Sequence, residues 1–173
     1  MKQFRNIFVT VGTTEFQNLT KTIITERIFG TMKKFGCEVL TMQIGSDKNF
    51  DISNAKTLAE KYGIEIKVYR LKSSIFDDIL EADLIISHAG AGSCIEALKA
   101  RKTLVVVVND KLMHNHQDEL AEQMHKEGYV LMCVPKTLPQ TLSDLPKRIG
   151  SLKPYKNGTV LALVQHLDTM MGF

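Results

Sequence analysis

The segment Asp83-Leu-Ile-Ile-Ser-His-Ala-Gly-Ala-Gly-Ser-Cys-Ile-Glu-Ala-Leu98 carries the residue types of an anion site. An apolar run enters a glycine-rich turn, and the turn opens at once into an amphipathic pattern. A helix that starts there leaves its first N–H groups free and points the positive end of its dipole at the strand end. Gly90 and Gly92 let backbone approach a ligand without a Cβ in the way, and they tolerate positive φ. Ser93 is placed to cap the helix and to offer a hydroxyl to a phosphate, with the backbone of Gly90, Ala91 and Gly92 around it. His88, at the strand end, is placed to donate to a second phosphate oxygen. Glu96 is three residues beyond Ser93 and shares its side of the helix, where a carboxylate can accept both hydroxyls of a ribose. Phosphate and ribose contacts on one short element point to a nucleotide. The bland alternative is a tight strand–helix turn with a structural serine.

Two further segments have polar groups after apolar runs. Gly12-Thr13-Thr14 follows Ile7–Val11, so its N–H groups and hydroxyls can close over a diphosphate from the opposite side, or form an ordinary βα loop with a threonine cap. Asn109–Glu119 follows the least polar run, Thr103–Val108. Within it Asn115, His116 and Gln117 offer both donors and acceptors to sugar hydroxyls and amides. His114 and His116 lack the further ligands of a zinc site, so no metal is predicted. A phosphate-binding Gly-x-x-x-x-Gly-Lys-Ser/Thr, a Gly-x-Ser-x-Gly elbow and an Asp-x-Asp pair are all absent from the chain.

The elements that must position these groups follow from periodicity. Ile7–Val11, Glu38–Ile44, Ile64–Tyr69, Asp83–Ser87, Thr103–Val108 and Tyr129–Val134 read as strands. Asn18–Lys34, Ser53–Tyr62, Ser74–Glu81, Cys94–Ala100 and His116–Gly128 read as the helices between them. Pro135, Pro139, Pro146 and Pro154 make residues 135–173 a less regular tail, with a closing helix over Leu161–Met171. Its stripe of Leu161, Val164, Leu167 and Met171 suits either a partner or docking on the chain's own core. Such alternation predicts an α/β fold with a parallel sheet and helices on both faces, as one domain over residues 1–173. Ligands of such sheets sit beyond the carboxyl ends of the strands, so Gly12, Gly45 and Gly90 should share one edge.

Composition narrows the class. Net charge is +3, with 22 Lys/Arg against 19 Asp/Glu, and no basic block argues for nucleic acid. Cys37, Cys94 and Cys133 are odd in number and far apart, which predicts reduced core thiols in a cytosolic or nuclear setting; with the resemblance given below, the expectation is cytoplasmic. No apolar run reaches membrane-span length, so any membrane association is expected to come through a partner.

Three separated motifs carry a resemblance: Val9-Thr-Val-Gly-Thr13, Ser87-His-Ala-Gly-Ala-Gly-Ser-Cys-Ile-Glu96, and Val108-Asn-Asp-Lys-Leu-Met-His-Asn-His-Gln117. In that order they resemble the C-terminal domain of family 28 glycosyltransferases, which are built from two Rossmann-like halves (the GT-B fold). Within the family the likeness is to the catalytic subunit of a two-component UDP-N-acetylglucosamine transferase of the dolichol pathway. It covers roughly residues 5 to 134, and the tail after Pro135 lies outside it.

The resemblance implies that Gly12, Thr13, Thr14, Gly90, Ala91, Gly92 and Ser93 hold the donor diphosphate. It implies Glu96 on the ribose, and Asn115, His116 and Gln117 on the donor sugar. His88 and Ser93 would stabilise the leaving group, with no residue assigned as base. It further implies no cofactor, a lipid-linked sugar acceptor, a membrane-anchored acceptor-binding subunit, and recruitment to the cytosolic face of the endoplasmic reticulum. A nucleotide-sugar-binding protein without turnover is the alternative. A dinucleotide oxidoreductase is disfavoured, because Gly12-Thr-Thr lacks the Gly-x-Gly-x-x-Gly spacing and no acidic residue closes the second strand.

Overall fold

The computed structural model describes residues 2–112, 116–156, 158–170 and 172, with backbone alone at 116, 117, 159–161, 163, 167 and 170. Six strands form one sheet: β1 (Asn6–Thr10), β2 (Val39–Gln43), β3 (Glu65–Tyr69), β4 (Leu84–His88), β5 (Thr103–Val107) and β6 (Leu131–Cys133). All neighbours are parallel, in the order β3-β2-β1-β4-β5-β6. That is the doubly wound Rossmann order, whose direction of winding reverses between β1 and β4.

Strand side chains alternate between two cores, as the pleat requires. Ile7, Val9, Leu84, Ile86, Val105 and Val107 face one side, and meet α1 (Gln17–Ile23), α2 (Glu26–Lys34), α3 (Ile52–Tyr62) and α7 (Leu138–Arg148). Phe8, Ile85, Leu104 and Val106 face the other, under α4 (Phe76–Glu81), α5 (Ala91–Lys99) and α6 (His116–Lys126). Burying both faces explains why the central strands are nearly continuous apolar runs. Each large side chain fully buried this way contributes about 1.5–3 kcal/mol.

Three expectations need correction. The single helix over Asn18–Lys34 is two helices, because Thr25 is extended (φ −122°, ψ 151°) and its side chain accepts from Ile28 N–H to start α2. Periodicity alone cannot see a cap that interrupts an apolar stripe. The 135–173 tail is more regular than its prolines imply. Pro139 sits in the first turn of α7, where its missing N–H removes no helical bond, and Pro146 is accommodated close to the end. Last, β6 covers only Leu131–Cys133 of the expected Tyr129–Val134.

The closing helix is α8 (Thr159–Met170), and its Val164 packs against the second core. Among the described residues no helix is long and apolar enough to cross a membrane.

Candidate functional site

Because all six strands are parallel, the turns after them lie along one edge. The Gly12–Thr14 turn follows β1, and the short Ala89–Gly90 turn joins β4 to α5. Since β1 and β4 are neighbours, these two turns lie side by side at the reversal point, the place where ligands of such sheets sit.

Buried polar groups hold the first turn. Thr10 and Gln43 are 0% and 4% exposed at the ends of β1 and β2. The Thr10 hydroxyl donates to Gln43 Oε1 at 2.5 Å and accepts from Gly12 N–H at 3.0 Å. Gly12 then takes φ +63°, a left-handed conformation that glycine adopts without strain. The Thr14 hydroxyl donates back to Val11 O at 2.9 Å, while Thr13 is exposed.

Gly45, after β2, presses on this turn. Ser46 N–H donates to Thr14 O at 3.2 Å, and a Cβ at Gly45 would overlap that same oxygen. Asp47, 1% exposed, anchors the far side by accepting from the Thr20 hydroxyl at 3.0 Å and Asn49 N–H at 2.9 Å. Gly12, Gly45 and Gly90 thus share one edge as expected.

Sequence reasoning missed the Thr10–Gln43 pair and Asp47. Thr10 and Gln43 stand in the sequence as polar residues that close apolar strands, and Asp47 as a polar residue in the loop after β2. Their partners, however, lie 33 and 27 positions away.

The second turn is built around His88. Its imidazole is 9% exposed and lies between the two glycine turns. A Cβ at Gly12 would sit 2.8 Å from its Cε1, and one at Gly90 would sit 2.5 Å from the same atom. Gly90 has φ −76°, so its lack of a side chain makes room for this ring, and its tolerance of positive φ is unused. Burial pushes the His88 pKa below its ordinary 6.5, and the Thr10 backbone carbonyl offsets part of that. Nδ1 is buried without a hydrogen-bond partner. Burial thus favours the uncharged ring, which carries a single N–H, with the Thr10 carbonyl close by.

The helix opens earlier than expected, at Ala91 with Gly90 as N-cap and no side-chain cap. Ser93 is thus the third helical residue and does not cap. Three first-turn amides, those of Ala91, Gly92 and Ser93, precede the first helical bond from Cys94 N–H to Gly90 O at 3.1 Å. A Cβ on Gly92 would meet nothing within 4 Å, so that side is open space where a ligand can come close. Ser93 is half-buried and Glu96, one turn on, is exposed. Cys94 is fully buried behind the turn, as expected for a core thiol.

The residues expected to meet the donor sugar are only partly described. Asn115 lies outside the described residues, as does His114. His116 and Gln117 open α6, beyond the carboxyl end of β5, and only their backbone is described. Among the described residues no cluster of His, Cys, Asp and Glu is placed to hold a metal ion.

A six-stranded parallel sheet in this order, with a glycine turn on each side of its winding reversal, is the fold of one half of a GT-B glycosyltransferase. Residues 6–165 match the glycosyltransferase family 28 C-terminal domain, and the chain belongs to that family. It is 42% identical over 151 residues to the UDP-N-acetylglucosamine transferase subunit ALG13 of Mus musculus. That alignment takes in 86% of this chain but 12% of the mouse protein, so the chain spans about an eighth of that relative's length.

Two solved structures share the fold. A solution NMR structure of ALG13 superposes with a TM-score of 0.64 at 23% identity, covering 88% of this chain and 89% of its own. The MurG crystal structure of Acinetobacter baumannii gives 0.63 at 22%, covering 87% of this chain and 42% of MurG.

Proposed function

We propose that this chain binds UDP-N-acetylglucosamine between the turns that follow β1 and β4. With a membrane-anchored acceptor-binding subunit, it transfers the sugar to N-acetylglucosaminyl-diphospho-dolichol at the cytosolic face of the endoplasmic reticulum. The observation that carries this reading is the opening of α5 at the reversal point, with three first-turn amides and the Ser93 hydroxyl available to a diphosphate. The mouse relative's name, a UDP-N-acetylglucosamine transferase subunit, supplies the donor and implies a partner.

In this reading the acceptor hydroxyl oxygen attacks the anomeric carbon while its proton passes to a base on the acceptor-binding subunit or to solvent. The bond to the β-phosphate oxygen breaks, and configuration inverts. UDP departs with the bonding electrons. The α5 amides, Ser93 and the neutral His88 N–H meet the negative charge that grows on it. A helix N-terminus contributes about 0.3–1 kcal/mol to such an anion. Loss of one well-aligned donor lowers kcat by about 10²–10³-fold. Gly12, Thr13 and Thr14 flank the diphosphate, Glu96 accepts from the ribose hydroxyls, and Asn115, His116 and Gln117 meet the donor sugar. No metal or other cofactor takes part, and no residue of this chain is assigned as base.

Glu96→Ala tests the site: the donor KM should rise about tenfold, the loss of roughly one charged hydrogen bond, with kcat little changed. Unchanged donor kinetics would remove the ribose role. Calorimetry should show binding of UDP and UDP-N-acetylglucosamine and none of NAD.

A second reading is donor binding without turnover by the chain on its own. It is favoured by the mouse relative's printed description as a subunit, which implies that a second chain takes part in transfer. Transfer measured with and without a co-expressed membrane subunit separates the two.

A further inference from the structure

The opposite, amino edge of the sheet has a cluster of cations that the donor site does not use. Four helices end there in the same turn. In each, two N–H groups fold back onto helix carbonyls, and the residue between helix and strand takes positive φ. Gly36, Gly63 and Gly128 fill that position after α2, α3 and α6, at φ +78°, +64° and +83°. After α5 the position is Arg101, at φ +56°, and it is the one non-glycine with positive φ among the described residues. Its N–H donates to Leu98 O at 2.9 Å, and Lys102 N–H to Ala97 O at 3.0 Å, the same pair of bonds as in the glycine turns. An arginine there keeps backbone strain that glycine would relieve. Such strain points toward a use for the side chain.

Arg101 borders a cavity of about 230 Å³ that also draws in Lys2, Lys102 and Lys153, with no carboxylate in its lining. Tyr129 and Tyr155 stand edge to face at 6.2 Å beside it. Lys2 and Lys102 are held by hydrogen bonds to the Thr103 hydroxyl (3.3 Å) and to Leu80 O (2.6 Å). Lys153 is fixed through its backbone N–H to Gly128 O at 2.8 Å. Among the described residues none of the four cations has an ion-pair partner. Four like charges on a partly apolar wall raise a positive potential that an anion relieves. The volume is below the roughly 300–1,000 Å³ of pockets that enclose drug-sized ligands, which suits a phosphate group better than a whole nucleotide.

We propose that this amino-edge cavity is a phosphate-binding site, separate from the β1/β4 turns, with Arg101, Lys102 and Lys153 as its ligands. The phosphate is either that of an anionic membrane lipid headgroup or that of a small soluble compound.

Amide NMR of the full chain with inorganic pyrophosphate tests the site by position. Resonances of Arg101, Lys102 and Lys153 should shift and saturate, and shifts confined to the Gly12 and Gly90 turns would overturn the proposal. The double variant Arg101→Gln, Lys153→Gln should lose those amino-edge shifts, while any at the Gly12 and Gly90 turns persist. Arg101→Gly separates ligand from scaffold: it should melt at a higher temperature than the parent and bind pyrophosphate about tenfold more weakly. Unchanged pyrophosphate binding in that variant would remove the role of the side chain.

Cosedimentation with phosphatidylcholine vesicles, with and without phosphatidic acid, identifies the source. Capture that needs phosphatidic acid and drops about tenfold or more in the double variant assigns the lipid headgroup. Pyrophosphate binding without vesicle capture assigns the soluble compound.

Discussion

His88 and its two glycine neighbours show how one ring can order a turn. Gly90→Ala would drive a Cβ into the imidazole, so it should destabilise by about 1–3 kcal/mol and weaken UDP binding, both readable by urea melts and calorimetry. Gly92→Ala meets open space inside a helix, so its stability should hold or rise by about 0.4–1 kcal/mol. If a diphosphate approaches Gly92 closely, UDP affinity falls in that variant although the fold is unharmed.

The titration of His88 has a definite sign. Its folded pKa lies below the ordinary 6.5, so on acidification the unfolded chain takes up the proton first. The stability that His88 contributes is complete above the unfolded value and declines as pH falls below it. Urea midpoints between about pH 7.5 and about pH 5.5 should drop more for the parent than for His88→Gln. Equal slopes would mean that the ring is not held neutral.

At the scale of elements, short polar links decide where the apolar strands end. Gln43→Ala strips the Thr10 hydroxyl of its acceptor at a buried site and loosens the Gly12 turn. The expected cost is about 1–3 kcal/mol in a denaturant melt, with a higher donor KM and a smaller change in kcat. Asp51 caps α3 by accepting from Asn54 N–H at 2.9 Å, whereas Thr25 caps α2 across 3.5 Å. Asp51→Ala should therefore cost about 1 kcal/mol and Thr25→Ala less, as compared by thermal melts.

Helices and strands themselves were legible because each has its own period in the apolar pattern. The break at Thr25, the start of α5 at Ala91 and the regularity of α7 were not. Each depends on which backbone N–H finds which oxygen, and substitutions that keep the same apolar stripe can change that choice.

For the molecule as a whole, burial governs the thiols. Cys37, Cys94 and Cys133 are 2%, 0% and 8% exposed, and burial pushes each pKa up to about 12. The native chain should resist iodoacetamide near pH 8, and all three thiols should react once urea unfolds it. Mass spectrometry reads both states. If the proposed function holds, and backbone amides and Ser93 take the place of a metal, a chelator should leave sugar transfer by the chain with its partner unchanged.

The amino-acid order alone was enough to determine an alternating α/β chain, glycine turns after apolar strands, a helix start rich in free amides, and buried cysteines. These are local properties, set by backbone hydrogen bonding and by the spacing of apolar side chains along a few turns. Tertiary structure decided that β1 lies against β4, so that Gly12 and Gly90 enclose one histidine from positions 78 apart in the chain. It also decided that Gln43 reaches Thr10, and that cations as distant as Lys2 and Lys153 surround one cavity. Those neighbours follow from strand order, which is chosen by how two faces of a sheet are covered at once, and no short window of residues encodes that choice.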